Sequence, residues 1–129
     1  MFNGLKILDN VKNEDITIIH DAARPLVNAF DIENLIVRTR SCHAATLVGN
    51  IKDTLINLND NATPNRDCMK AIQTPQAFSY KTIMGAHNNF KDQDDFTDDS
   101  SLVIANGDNV EYIESTGVNF KITTKDDFH

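Results

Sequence analysis

The apolar run Ile16-Thr17-Ile18-Ile19 stops abruptly at His20-Asp21-Ala22-Ala23-Arg24-Pro25, so an acid and a base stand where a strand ends. In α/β proteins ligands bind outside the carboxyl ends of parallel strands, which makes Asp21 and Arg24 candidate site residues. Two further cations stand near segment junctions, Arg66 and Lys121. A guanidinium grips two phosphate oxygens at once and an ammonium adds a movable point charge, so this set suits a phosphate ligand. Taken singly, each is equally a surface charge.

Three threonines extend the set. Thr54 in Lys52-Asp53-Thr54, Thr74 in Gln73-Thr74-Pro75-Gln76 and Thr97 in Phe96-Thr97-Asp98-Asp99 each offer a hydroxyl to a phosphate or a polyol. Each also has a structural role to fill: Thr54 as a strand residue, Thr74 as a turn residue before proline, Thr97 as a helix cap. Asp21 admits three roles, as a magnesium ligand, as an acceptor for sugar hydroxyls, or as a salt-bridge partner for Arg24. Asp98 and Asp99 read as partners of a helix dipole. His20, His43 and His87 are isolated, without metal-ligand spacing. No nucleophile elbow, Walker loop or GxGxxG occurs, so covalent catalysis has no support.

Composition bounds the rest. A chain of 129 residues with 40% hydrophobic residues can bury one core, and a single domain is expected. With 12 basic and 19 acidic residues the net charge is -7, which disfavours a non-specific nucleic-acid surface. No stretch is apolar for long enough to span a bilayer, and no secretory start is visible, so a cytoplasmic location is expected. Cys42 and Cys68 lack metal spacing and read as reduced thiols.

The elements that must position these residues alternate strand and helix, the pattern of an α/β layer. After Ile16 to Ile19, a helix capped by Asn28 runs through Ile32, Leu35 and Ile36 to about Arg40. Ala44 to Val48 reads as a buried strand interrupted by Gly49. From about residue 50 to 70, apolar residues are spread among polar ones, which suggests a projecting hairpin with its turn in Asn59-Asp60-Asn61-Ala62. Such an arm has no core of its own, so a partner subunit is the expected cover for Leu55, Ile56 and Leu58. Ser79 caps a helix with Ile83, Met84, His87 and Phe90 on one face, and Lys91 to Asp95 form a solvated connection. A short helix follows Thr97 and ends at Asn106-Gly107. Strands are expected at Val110 to Ile113 and Phe120 to Thr123, and Lys125 to His129 reads as the start of a helix.

Five segments, His20-Asp21-Ala22-Ala23-Arg24-Pro25, Asp53-Thr54, Gln73-Thr74-Pro75-Gln76-Ala77-Phe78, Thr97-Asp98-Asp99-Ser100-Ser101 and Asn119-Phe120-Lys121-Ile122-Thr123-Thr124, together resemble the 2-C-methyl-D-erythritol 4-phosphate cytidylyltransferases. The resemblance covers the chain from Asn3-Gly4-Leu5 onward. Ribitol-5-phosphate cytidylyltransferase shares much of the pattern, but Ala23 and the run from Thr97 to Ser101 look more like the methylerythritol enzymes. The resemblance implies a Rossmann-like nucleotidyltransferase fold with a β-arm that crosses to the other subunit of a homodimer. It implies transfer of CMP from CTP to methylerythritol phosphate, with magnesium as the cation and release of pyrophosphate, on the non-mevalonate route to isoprenoids. Carried over by motif, Arg66 and Lys121 position the acceptor phosphate. Asp21, Arg24, Thr54, Thr74 and Thr97 become acceptor-site residues, some of them reaching the site from the partner chain.

The chain also departs from the family pattern. Met1-Phe2-Asn3-Gly4-Leu5 resembles a point well inside the family's chain, downstream of its glycine-rich loop, and Gly4, Gly49, Gly85, Gly107 and Gly117 are scattered. The expectation is a partial cytidylyltransferase domain over residues 1–129, incomplete at its N-terminus, that carries the acceptor-binding and dimerising part. The other reading is a non-catalytic fragment or paralogue that binds partner chains through the arm.

Overall fold

A computed structural model describes residues 1–93 and 95–128. Four strands form one sheet in the order β1-β3-β2-β4, with β1 at Ile16–Ile19, β2 at Ala44–Asn50, β3 at Lys70–Ser79 and β4 at Glu111–Glu114. β3 runs antiparallel to both of its neighbours, and β2 runs parallel to β4. The carboxyl ends of β1, β2 and β4 therefore lie on one side of the sheet.

Helices cover both faces. Leu35 of α2 (Ala29–Cys42) packs with Ala45, Leu47 and Ala77 on one face. On the other, α1 (Phe2–Lys6), α3 (Tyr80–Asn89) and α4 (Asp99–Ala105) contribute Leu5, Ile83, Ala86, Leu102 and Val103 against Ala44 and Phe78. Successive strand residues point to opposite faces, so Ala44 and Ala45 belong to different clusters. This double coverage explains why β2 is buried from Ala44 to Val48 without a polar alternation.

Local signals set most element ends. Asn28 Oδ1 accepts from Asp31 N at 2.8 Å and starts α2. Ser79 caps α3, and its Oγ accepts from Thr82 N. Past α4, Gly107 takes φ +90°, and Gly107 N and Asp108 N donate back to Ile104 O and Val103 O, which closes the helix in a Schellman motif.

Several expectations are corrected. Gly49 does not interrupt β2, which continues to Asn50, and its lack of a side chain leaves room for the Gln73 amide. The arm is paired at its base, where the antiparallel β2–β3 ladder ends at Asn50 and Lys70, but not along its length. Beyond that, among the described residues, Asn57 and Ala62 bridge around the expected turn where Asn61 takes φ 56°, and a 3-10 turn follows at Arg66–Cys68. Phe120 to Thr123 is an extended segment without strand pairing, tied instead by Ile122 N to Ala23 O at 2.8 Å. Asp98, not Thr97, caps α4, because its carboxylate reaches Ser101 N. At the end, Lys125–Phe128 forms a 3-10 turn in place of an α-helical start. Asp94, within the expected solvated connection, and His129 lie outside the described residues.

Candidate functional site

At the carboxyl side of β1 the chain turns, with Arg24 N donating to Asp21 O at 2.9 Å. Beside it β3 bulges. Thr46 pairs with Gln76 and Val48 with Ile72, so Leu47 alone faces Gln73, Thr74 and Pro75. Pro75 has no N–H for a ladder bond, and a bulge of this kind re-aims the side chains it carries. Thr74 is thereby presented beyond the end of β1, where its Oγ1 accepts from Asp21 N at 2.9 Å.

Asp21, Arg24, Thr74, Thr97 and Lys121 line one open cleft of about 310 Å³, together with Ile72, Gln73, Gln76, Asp98 and Ser101. Five of the seven sequence-derived candidates thus meet in space. Thr54 and Arg66 do not: both are exposed on the arm, where Arg66 Nη1 donates to Lys52 O at 2.8 Å.

The charges within the cleft are arranged in pairs. Asp21 pairs with Lys121 Nζ at 3.0 Å rather than with Arg24. The hydrogen bond from Ala23 N and the Lys121 ammonium hold the Asp21 carboxyl below its ordinary range. Arg24 Nη1 instead donates to the Asn119 carbonyl at 2.7 Å. His20 braces the turn, its Nε2 against Arg24 O at 2.9 Å and its Nδ1 against Thr74 Oγ1 at 3.1 Å. A carbonyl only accepts, so Nε2 carries a proton.

Asp98 forms the opposite wall. Burial pushes its carboxyl up, but hydrogen bonds from Ser100, Ser101 and Gln76 outweigh this and bring it below its ordinary range. Gln76 is buried and uses both ends of its amide, Nε2 to Asp98 and Oε1 from Ser100 N. Sequence reasoning missed Gln76, Ser101, Gln73 and Asn119. The available signal was a glutamine just before the apolar pair Ala77-Phe78, since a polar side chain in a buried strand must find partners.

The site holds two cations, Arg24 and Lys121, among hydroxyls, and its acids are already engaged. Asp98 is taken up by four donors from Gln76, Ser100 and Ser101, and Asp21 by Lys121 and Ala23 N. Among the described residues no group of three or more His, Cys, Asp or Glu side chains converges on a point. The donor set therefore does not fit a magnesium ion held by the protein, and it fits an anion. The hydroxyls of Thr74 and Ser101 are held by His20 Nδ1 and by the Asp98 carboxylate, and both contacts brace the walls of the cleft.

This sheet, its covering helices and a cation-bearing cleft at the strand ends are the fold of α/β nucleotidyltransferases. The chain belongs to the family IspD: 2-C-methyl-D-erythritol 4-phosphate cytidylyltransferase, whose profile matches residues 1–129. A relative of that name from Desulforamulus reducens is 41% identical over 98% of this chain and 56% of its own. One from Thermosipho africanus is 39% identical over 99% of this chain and 59% of its own. The crystal structure of the Francisella tularensis 2-C-methyl-D-erythritol 4-phosphate cytidylyltransferase superposes with a TM-score of 0.87 at 32% identity, covering 98% of this chain and 62% of that one. The chain thus spans somewhat over half the length of these two curated relatives.

Proposed function

We propose that this chain carries the acceptor site of a cytidylyltransferase that moves CMP from CTP onto 2-C-methyl-D-erythritol 4-phosphate and releases pyrophosphate. The observation that carries the reading is the convergence of Asp21, Arg24, Thr74, Thr97 and Lys121 on one cleft. In this reaction an oxygen of the acceptor phosphate attacks the α-phosphorus of CTP, a new P–O bond forms, and the bond to the bridging oxygen of pyrophosphate breaks. The attacking oxygen is already anionic, so no general base is needed, and the Asp21 carboxylate of the cleft is held by Lys121 and Ala23 N. Two polyanions repel each other, and fixed cations that hold one in line with the other lower that barrier.

Lys121 and Arg24 supply the fixed positive charge. An arriving phosphate competes with the Asp21 carboxylate for the Lys121 ammonium, and the released carboxylate can then accept from a polyol hydroxyl. Thr74, Thr97 and Ser101 offer further hydroxyls at the rim. Magnesium enters the proposal only as the counter-ion of CTP. Arg66 and Thr54 are assigned to the acceptor site of a partner subunit, delivered by the arm in a homodimer. This is supported by their exposure and by the uncovered Leu55, Ile56 and Leu58 beside them. A cytoplasmic location completes the reading.

The test is pyrophosphate release from CTP with magnesium and either 2-C-methyl-D-erythritol 4-phosphate or ribitol 5-phosphate. In an active form of the protein, release that requires the methylerythritol acceptor, and acceptor use lost far more than CTP binding in Arg66→Ala, is the expected outcome. Dependence on the ribitol acceptor would reassign the substrate. Folded protein that releases none with either acceptor would make the chain a binding module.

A further inference from the structure

The clustered residues do not hold their positions alone. Asn119 is 5% exposed and is not part of the cleft lining, yet it ties together three of the segments that form the cleft. Its Nδ2 donates to Thr74 O at 2.8 Å and to Gln73 Oε1 at 3.1 Å, and its backbone carbonyl accepts from Arg24 Nη1 at 2.7 Å. We infer that Asn119 is a positioning residue for the acceptor phosphate, setting the spacing of Arg24 and Lys121 across the cleft. The inference rests on the reading of that cleft as the acceptor site.

The contacts form a closed ring. Asp21 N donates to Thr74 Oγ1, Thr74 O accepts from Asn119, Lys121 follows Asn119 by two residues, and Lys121 Nζ returns to Asp21. Arg24 braces the ring across its middle, tied to Asp21 O by its own N–H and to Asn119 O by its guanidinium. A phosphate that takes Lys121 from Asp21 opens the ring at that one contact. The Asn119 amide and the Ile122 N to Ala23 O bond then keep the lysine's segment in place.

The residue type matches this task. Two acceptors, Thr74 O and Gln73 Oε1, face Nδ2, and only an amide nitrogen brings two protons to one point on so short a side chain. Aspartate there would set acceptor against acceptor. Asn119 Oδ1 and Arg24 Nε are buried without a partner among the described residues. Such atoms lower stability, so stability alone would not select this arrangement. Behind it, Gln73 Oε1 also accepts from Ser115 Oγ at 2.8 Å, and the Gln73 amide occupies the space left open by Gly49. Gly49→Ala therefore presses on the Gln73 amide, which bonds Asn119 and also lines the cleft, and so disturbs the ring from its far side.

The test compares wild type with Asn119→Ala and Gly49→Ala, using Val103→Ala as a core control with a similar fall in melting temperature. One readout is nitrogen-15 NMR of Arg24, whose terminal nitrogens give separate signals only while the guanidinium is held. The other is the Kd for 2-C-methyl-D-erythritol 4-phosphate and for inorganic phosphate by calorimetry. In folded Asn119→Ala the Arg24 signals merge and the Kd for the sugar phosphate weakens about tenfold, the equivalent of one lost hydrogen bond. Val103→Ala changes neither. Should Asn119→Ala fail to fold, Gly49→Ala gives the same two readings. The inference is overturned if Arg24 stays ordered and the Kd is unchanged, or if Val103→Ala weakens binding as much. Wild type that binds neither probe would sink the functional reading instead, while the Arg24 signals would still report whether Asn119 holds the guanidinium.

Discussion

The site's acids serve different purposes. Asp21 is half-buried beside Lys121 and can exchange partners, whereas Asp98 is locked by Gln76, Ser100 and Ser101 at the start of α4. Because Asp98 lies below its ordinary value of 3.8 in the folded protein, the unfolded chain binds more protons in mild acid, and stability rises with pH there. Its contribution is complete at neutral pH and is lost as pH falls through the folded value. The stability gap between wild type and Asp98→Ala, read from urea midpoints, should therefore narrow between about pH 7 and about pH 3. A gap that stays constant would mean that the hydrogen bonds to Asp98 matter and its charge does not. The candidates Asp21 and Arg24 were legible from their place after an apolar run, but their partners were not. Pairing them with each other was one of three roles open to Asp21, and the fold brought Lys121 to one and Asn119 to the other.

At the scale of elements, caps and strand ends were readable where the signal is local. Asn28, Ser79 and Gly107 act within a few residues of themselves, and each does what its type suggests. Asn28 also donates from Nδ2 to Thr116 Oγ1, which links the start of α2 to the turn after β4. Asn28→Ala should cost about 1 kcal/mol, the usual loss for an N-cap, measured as a shift in the urea midpoint. A variant as stable as wild type would show that the Asp31 contacts to Thr116 suffice to hold this corner. Gly49 was misjudged because glycine weakens an isolated strand. In the sheet it makes room for Gln73, a residue more than twenty positions away. The bulge at Gln73 to Pro75 has the same character, since the register slip exists only against β2.

For the whole molecule, in the proposed homodimer, the arm decides whether the site is complete. Thr54 and Arg66 stand outside the cleft while Leu55, Ile56 and Leu58 are exposed, Leu58 at 88%. A partner's arm would cover these side chains and bring the missing cation. Leu58→Asp should shift the protein toward monomer in sedimentation velocity and weaken acceptor binding, with little effect on folding, since Leu58 has almost nothing to lose. A variant that stays dimeric would remove the arm from the interface. No helix among the described residues is long and apolar enough to cross a membrane.

From the sequence alone follow the α/β alternation, the caps at Asn28, Ser79 and Gly107, the turn of the arm and the residue types of the site, because each depends on neighbours within one or two turns of chain. Membership of the cytidylyltransferase family was legible for a related reason: its motifs are short, ordered and chemically distinctive. Tertiary structure decided which candidates meet. Lys121 lies a hundred residues from Asp21, and their contact depends on an unpaired C-terminal segment crossing the end of β1, held by Asn119 and Ile122. Such a crossing leaves no periodic trace, since its hydrogen bonds run to a turn and to a bulge rather than along a strand.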